Sequence, residues 1–404
     1  MKIAVCTIIS RNYLPYARVL AESLRTHHPE CEFYVLMVDG VDARDQSETF
    51  EVINVAHLNL PNFRQLAFRY NQLEMNTNVK PTFLAKLFAE KGLDKLLYFD
   101  PDILICSSLN PLFDLLDHHG IVLTPHCTSP IEDDGQRPSE IDFLLVGAFN
   151  LGFIGLRRSG QTEQFLSWWE KRCLKAGYSE LRSGLFVDQK WVNLVPCFFD
   201  SVHIIRDLGC NMAYWNLHER AIIPVEGNYV VNGRYLLRFF HFSGIDLEDK
   251  SQLSKHSSRH HLGERPDVAP LFQNYRERVL ARDYSNFKKC SYSFGSFSDG
   301  SPVTQIARSA FAISERNFPN DDPFSTTSDF YRWARSRRLL GASDTSAEYN
   351  FATYKKTANK VRMANRLLSV LLRTVGPNRY TILMKYLSFI SVLRNQPGVL
   401  SPEQ

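Results

Sequence analysis

Two carboxylates one residue apart, Asp100 and Asp102, end the apolar run in Lys95-Leu-Leu-Tyr-Phe-Asp-Pro-Asp-Ile-Leu104. Pro101 fixes its own φ and pushes Asp100 out of the helical region, so the segment is expected to be extended. In an extended chain both carboxylates point the same way. Like charges converging where a buried strand ends are costly unless a cation neutralises them. Hard oxygen ligands on a sharp bend suit Mg²⁺ or Mn²⁺, with a diphosphate completing the shell. The competing reading is an exposed acidic turn. The apolar stretches at 96–99 and 103–105 favour the buried strand.

Other polar residues stand in similarly apolar settings. His241, in Arg238-Phe-Phe-His-Phe-Ser-Gly244, is either a satisfied core histidine or a third ligand beside Asp100 and Asp102. Asn150 and Gly152 lie in Phe149-Asn-Leu-Gly-Phe-Ile-Gly155, where glycine in a strand marks close backbone approach and a buried amide needs partners. Asp188 and Gln189 interrupt Gly184-Leu-Phe-Val-Asp-Gln-Lys-Trp191, and Asp188 can equally cap a helix. Lys80 and Lys86 flank a helix start at Pro81, a place for a phosphate or for two solvated lysines. The amides and aromatics of Cys210–His218 suit a sugar face or a packed core edge.

The elements that position these residues follow from periodicity. Residues 3–9 read as a buried strand, and 11–28 as a helix with Leu14, Ala17, Leu20, Ala21 and Leu24 on one face. Residues 32–38 and 52–55 read as further strands, the first ending at Asp39-Gly40. Strand, helix, strand with polar residues at strand ends begins a doubly wound α/β sheet, which binds ligands beyond its carboxyl ends. Thr7 and Asp39 sit at such ends; a simple turn is the alternative for Asp39. Residues 63–91 are expected to be mostly helical with a break at Lys80-Pro81, and 121–125, 144–156 and 202–206 to be strands. Residues 129–140 form a long acidic loop, a candidate lid.

The 404 residues suggest a main domain of about 250 residues with an appendage. Hydrophobic content of 44% and charged content of 22% describe a chain able to bury a large core. A net charge of +4 with no basic stripe argues against a nucleic-acid partner. Eight scattered cysteines without a C-x-x-C pair, and no signal peptide, point to reduced thiols in the cytoplasm. The character changes after about residue 249. Residues 256–261 read as a solvated linker, 318–328 as a poorly ordered polar stretch, and 359–375 as a basic amphipathic helix. That helix is either part of a small helical cap or a contact with the membrane surface.

The ordered set of motifs resembles the retaining, metal-dependent GT-A glycosyltransferases, nearest to the family 8 type of glycogenin and the bacterial lipopolysaccharide galactosyl- and glucosyltransferases. The resemblance covers residues 1–250, leaving 251–404 as a linker and a helical extension. It implies a Rossmann-like mixed sheet and a cytoplasmic bacterial enzyme of polysaccharide or glycolipid assembly. It also implies a nucleotide-sugar donor, UDP-sugar foremost, and a glycan or glycolipid acceptor. Asp100, Asp102 and His241 match the ligands of a Mn²⁺ (or Mg²⁺) on the donor diphosphate. Thr7 and Asp39 match positions that hold the nucleoside, and Asn150 and Gly152 match the strand bordering the donor sugar. Asp188 and Gln189 match the catalytic Asp-Gln pair beside that sugar. One departure stands out: where the family shows Lys-Pro-Trp after His-Phe-x-Gly, this chain has Ile245-Asp-Leu-Glu-Asp-Lys250. Lys80, Lys250 or Arg238 are the candidates to replace the lost diphosphate lysine.

Two rival readings share part of this motif set. A haloacid-dehalogenase-type phosphotransferase also uses Asp-x-Asp after a strand, but on its first strand and followed by a small turn residue; here the motif comes at 100 and runs into Ile103-Leu104. A sugar-nucleotide-binding scaffold without turnover is the second, and metal-dependent turnover separates it from an enzyme.

Overall fold

The computed structural model describes residues 1–40, 48–341 and 358–402. They fall into two compact units, Met1–Pro61 with Gln72–Ser293, and Asn62–Asn71 with Phe294–Gln404.

The first unit is built on seven strands: β1 (Ile3–Ile9), β2 (Glu32–Met37), β3 (Glu51–Asn54), β4 (Lys95–Phe99), β6 (Ile121–Pro125), β7 (Phe149–Arg157) and β8 (Val202–Ile204), with β5 (Ile103–Ile105) lying in another sheet. Their order is β8-β6-β7-β4-β1-β2-β3. Strand β1 is parallel to β2 and β4, whereas β7 runs antiparallel to both β4 and β6. The largely apolar composition of β1 and β4 reflects burial along nearly their whole length, with Thr7 and Lys95 the polar exceptions. Helix Leu14–His27 buries the predicted face of Leu14, Ala17, Leu20, Ala21 and Leu24. This is the mixed, doubly wound α/β architecture expected from the sequence.

A second, three-stranded sheet places β10 (Phe239–His241) between β9 (Met212–Ala213) and β5. Phe99 of β4, Phe153 of β7 and Phe239 of β10 meet with ring centroids 5.0–5.2 Å apart and form a common floor for the two sheets. Each fully buried aromatic ring contributes roughly 1.5–3 kcal/mol over exposure.

Three local expectations change. The two acids are joined by a tight turn, with the Ile103 amide bonded to the Asp100 carbonyl at 3.2 Å, rather than by extended chain. Residues 144–146 end a helix, Glu140–Val146, instead of starting a strand, because Ser139 and Asp142 form a capping box there. Residues 251–293, placed by the sequence reading in the linker and helical extension, belong to the first unit. Phe242 stacks on Tyr275 at 3.8 Å, and helix Ala269–Leu280 buries Leu271, Phe272, Tyr275 and Val279.

The second unit is mainly helical and gathers around Phe68, whose ring meets Phe297, Phe311, Phe324 and Phe330 at 4.9–5.7 Å. The buried Arg308 guanidinium donates to the carbonyls of Ala67, Phe68 and Tyr70 at the end of helix Phe63–Arg69. The polar stretch 318–328 is ordered because it inserts Phe318 and Phe324 into this core. Helices Ala358–Val375 and Pro377–Ile390 follow.

Candidate functional site

Two strand ladders bring the site together. Across β4 and β7, Phe99 pairs with Phe153, and the next amide, Asp100, donates to the Gly152 carbonyl at 2.8 Å. Across β5 and β10, Ile103 pairs with His241, and the Phe242 amide donates to the Asp102 carbonyl at 2.9 Å. One ladder therefore sets Asp100 over Gly152, and the other sets Asp102 beside His241.

One ligand atom from each of Asp100, Asp102 and His241 falls within 4.8 Å of the others. His241 Nε2 is 3.1 Å from Asp102 Oδ1 and 3.9 Å from Asp100 Oδ2. Burial opposes the charged form of His241, but the Asp102 carboxylate, and then Asp100, outweigh it and lift its pKa above the ordinary value. Two hard carboxylates and an imidazole at this spacing are a donor set for Mn²⁺ or Mg²⁺. The Tyr98 hydroxyl, two residues back on the same strand face, donates to Asp100 Oδ1 at 2.6 Å.

Gly152 is required by the approach of His241. A Cβ there would lie 2.3 Å from His241 Cε1 and 2.8 Å from Asn150 Oδ1. Gly152→Ala is expected to keep the fold and push the imidazole off Asp102. Calorimetric titration should show Mn²⁺ affinity reduced at least about tenfold, in the range seen when a ligand loses its support; unchanged affinity would contradict the placement.

Behind His241 lies a buried polar cluster. Asn150 Oδ1 accepts from His241 Nδ1 at 3.2 Å, from the Gly152 amide at 3.2 Å and from Asn211 Nδ2 at 3.1 Å. Asn150 Nδ2 faces His126 Nε2 at 3.5 Å, and His126 Nδ1 faces the Ala148 carbonyl at 3.3 Å. His126 stacks on Phe143, and the Trp215 ring stands edge-on to both His126 and His241. The sequence pointed to Asn150, Gly152 and the 210–218 segment, but not to His126, Thr124 or Tyr98. Only the period-2 pairing of Tyr98 with Asp100 was there to be read.

Burial lowers the pKa of His126 to about 4. Between that value and its ordinary 6.5, the unfolded chain holds more protons than the folded one. Its contribution to stability is therefore complete above about pH 6.5 and is lost as pH falls toward 4, by up to about 1.4 kcal/mol per unit. Urea unfolding at several pH values should show this slope, and His126→Phe should flatten it.

Lys80 and Asp188 form a buried ion pair at 2.7 Å, with side chains only 1% and 2% exposed. Lys80 also donates to the Leu151 carbonyl at 2.9 Å and lies 4.2 Å from the centroid of the Tyr98 ring. Burial raises the Asp188 carboxyl above its ordinary pKa, with Lys80 pulling the other way. Lys80 thus sits under the site with its ammonium engaged by protein groups, and Lys86 pairs with Glu90 at 2.7 Å. Asp188 precedes helix Gln189–Val192 without capping it. Gln189 Oε1 accepts from the Leu151 amide at 3.0 Å, and its Nε2 donates to the Val146 carbonyl at 3.1 Å. Gln189 therefore braces β7 and the helix before it directly, whereas Asp188 is tied to β7 only through Lys80.

Thr7 is fully buried in β1, and Asp39 accepts the Arg11 amide at 2.9 Å beyond β2. Arg238 donates to the Ser108 carbonyl at 3.1 Å, and Lys250 is exposed. The 129–139 loop is tied down: Glu219 takes bonds from Thr128 and Ser129, and Arg259 pairs with Asp134 at 2.6 Å.

Residues 4–187 match the family model of glycosyl transferase family 8. Two Bacillus subtilis (strain 168) proteins are similar over much of their length. The uncharacterized protein YfnF is 25% identical over 286 residues, 69% of this chain and 92% of that one. The uncharacterized protein YfnD is 24% identical over 259 residues, 61% of this chain and 79% of that one. Among solved structures, the galactosyltransferase LgtC with donor and acceptor sugar analogs has a TM-score of 0.39 at 18% identity, covering 69% of this chain and 95% of that one. The glycosyltransferase GlyE of Streptococcus pneumoniae TIGR4 has a TM-score of 0.41 at 17% identity, covering 74% and 67%.

Proposed function

From this family 8 glycosyltransferase segment, we propose that the chain moves a hexose from a nucleoside-diphosphate sugar, a UDP-sugar foremost, to a glycan or glycolipid acceptor with retention of configuration. The observation that carries the reading is the convergence of Asp100, Asp102 and His241 on one point. Those residues would hold Mn²⁺ or Mg²⁺ there, and the cation when bound neutralises charge developing on the leaving diphosphate. Tyr98 fixes the Asp100 carboxylate, and Gly152 leaves room for the imidazole. Asp188 is held by Lys80 and the Gln189 amide by two backbone groups, so both act by shaping the donor-sugar wall rather than by attack on the sugar. The acceptor hydroxyl then attacks on the face the diphosphate leaves, and its proton passes to the departing phosphate oxygen. Thr7 and Asp39 border the nucleoside in this reading.

A membrane-proximal acceptor fits the C-terminal helices. From 358 to 390 the chain carries six basic residues and no Asp or Glu, and from 359 to 390 no residue is buried. Met363, Leu367, Val370, Ile382, Tyr386 and Phe389 are each 58–68% exposed. Basic and apolar surface together suit an anionic lipid face, whereas a second copy would repel. No described helix is long and apolar enough to cross a membrane. The protein should sediment with phosphatidylglycerol vesicles and not with phosphatidylcholine vesicles, and high salt should release it. Thermal shift across nucleotide sugars with Mn²⁺ tests the donor: one sugar nucleotide should stabilise the protein, and EDTA should abolish the shift. A shift insensitive to EDTA would favour a binding scaffold.

A further inference from the structure

The hydrogen bonds behind His241 allow one assignment of donors and acceptors. The Gly152 amide can only donate, so the Asn150 atom facing it at 3.2 Å is the carbonyl oxygen. The His241 Nδ1 that meets the same oxygen at 3.2 Å must therefore carry a proton. The other end of the Asn150 amide is then NH₂, directed at His126 Nε2, 3.5 Å away. The Ala148 carbonyl can only accept, so His126 carries its proton on Nδ1 and leaves Nε2 as the acceptor. Each group's role is fixed by the one behind it, back to a backbone carbonyl.

We propose that His126 and Asn150 are positioning residues that hold His241 with its proton on Nδ1 and its Nε2 lone pair turned toward Asp100 and Asp102, the form that binds a divalent cation. The proposal rests on the metal reading above and adds two residues to it. Metal-binding histidines commonly take their orientation from a partner on the far nitrogen. Here the partner is a neutral amide whose own orientation is set by a second histidine. Burial keeps that second histidine neutral through the physiological range, so the acceptor at its Nε2 persists. Asn211 reinforces the arrangement by bridging Asn150 Oδ1 and the Thr124 hydroxyl at 3.1 and 2.9 Å. The glycine at 152 completes it, since a side chain there would occupy the path between His241 and Asn150. Asn150 spends its polar atoms on this chain of bonds, which explains an amide buried in a central strand.

The test pairs a disruptive and a conservative change at each position. Asn150→Leu should fold with an unchanged far-ultraviolet spectrum and bind Mn²⁺ about 10–100-fold more weakly by calorimetric titration. Asn150→Asp, which keeps an acceptor for the Nδ1 proton, should recover most of the loss. His126→Phe should weaken binding less than Asn150→Leu, and His126→Gln, with an amide oxygen able to accept, should restore it. Nitrogen-15 spectra of Mg²⁺-loaded protein with labelled histidine give a readout independent of activity. His241 should show Nδ1–H in wild type and a shifted or mixed signal in Asn150→Leu. Wild-type affinity in Asn150→Leu, or an Nε2–H form of His241 in the loaded protein, would overturn the proposal while leaving the metal site standing. A wild-type protein that binds neither Mn²⁺ nor Mg²⁺ would overturn the metal reading and the proposal with it.

Discussion

Asp102→Ala is expected to lower turnover with the preferred donor about a thousandfold while leaving the folded state intact. The Asp102 carboxylate lies 3.1 Å from His241 Nε2, and its side chain is 17% exposed on a turn between two short ladders. Its removal leaves the backbone bond from Phe242 to the Asp102 carbonyl in place. On the proposed metal site, what is lost is one anionic ligand of the cation, and with it several kcal/mol of charge stabilisation on the leaving group, each ~1.4 kcal/mol being tenfold in rate. Raising Mn²⁺ should rescue Asp102→Ala only in part. Circular dichroism and thermal unfolding beside the steady-state kinetics check both halves. Full activity without bound metal would remove Asp102 from the site.

Lys80→Met is expected to cost about 3–5 kcal/mol of stability, because it strands the Asp188 carboxylate in a pocket where its side chain is 2% exposed. The Leu151 carbonyl would lose its ammonium partner as well. The double change Lys80→Met with Asp188→Leu should recover most of that loss, since an apolar pair of similar volume carries no desolvation cost. Denaturant unfolding of the two variants measures the difference. If Lys80 instead served a phosphate, as its place at a helix start suggested, Lys80→Met would be nearly as stable as wild type and would show chiefly a raised KM.

The contrast at Lys80 shows what was legible in the sequence and what was not. Strand ends were readable because apolar runs stop abruptly at Asp39 and Asp100, and the charge of the acidic pair raised the cation reading against that of an exposed turn. His241 needed the order of motifs, since one histidine in an apolar run looks the same as a core residue. Burial of a lysine could not be read: Pro81 marks the helix start, but the partner, Asp188, lies more than a hundred residues away. The same holds for His126, whose role depends on tertiary bonds to Ala148 and Asn150. Residues 256–261 read as a solvated linker because their polar and charged side chains hide the packing around them: the helix that follows carries Phe272 and Tyr275, which close over Phe242. Capping by Ser139 and Asp142 likewise turned an apolar run, 144–146, into the last turn of a helix.

The most direct test is release of nucleoside diphosphate from a panel of UDP-, GDP-, ADP- and dTDP-sugars, with a glycan or lipid-linked acceptor, in Mn²⁺ and again after EDTA. One donor should be turned over, EDTA should stop the reaction, and fresh Mn²⁺ should restore it in wild type. Turnover that continues undiminished in EDTA, or in His241→Ala stripped of metal, would contradict the claim that Asp100, Asp102 and His241 form the centre of the enzyme.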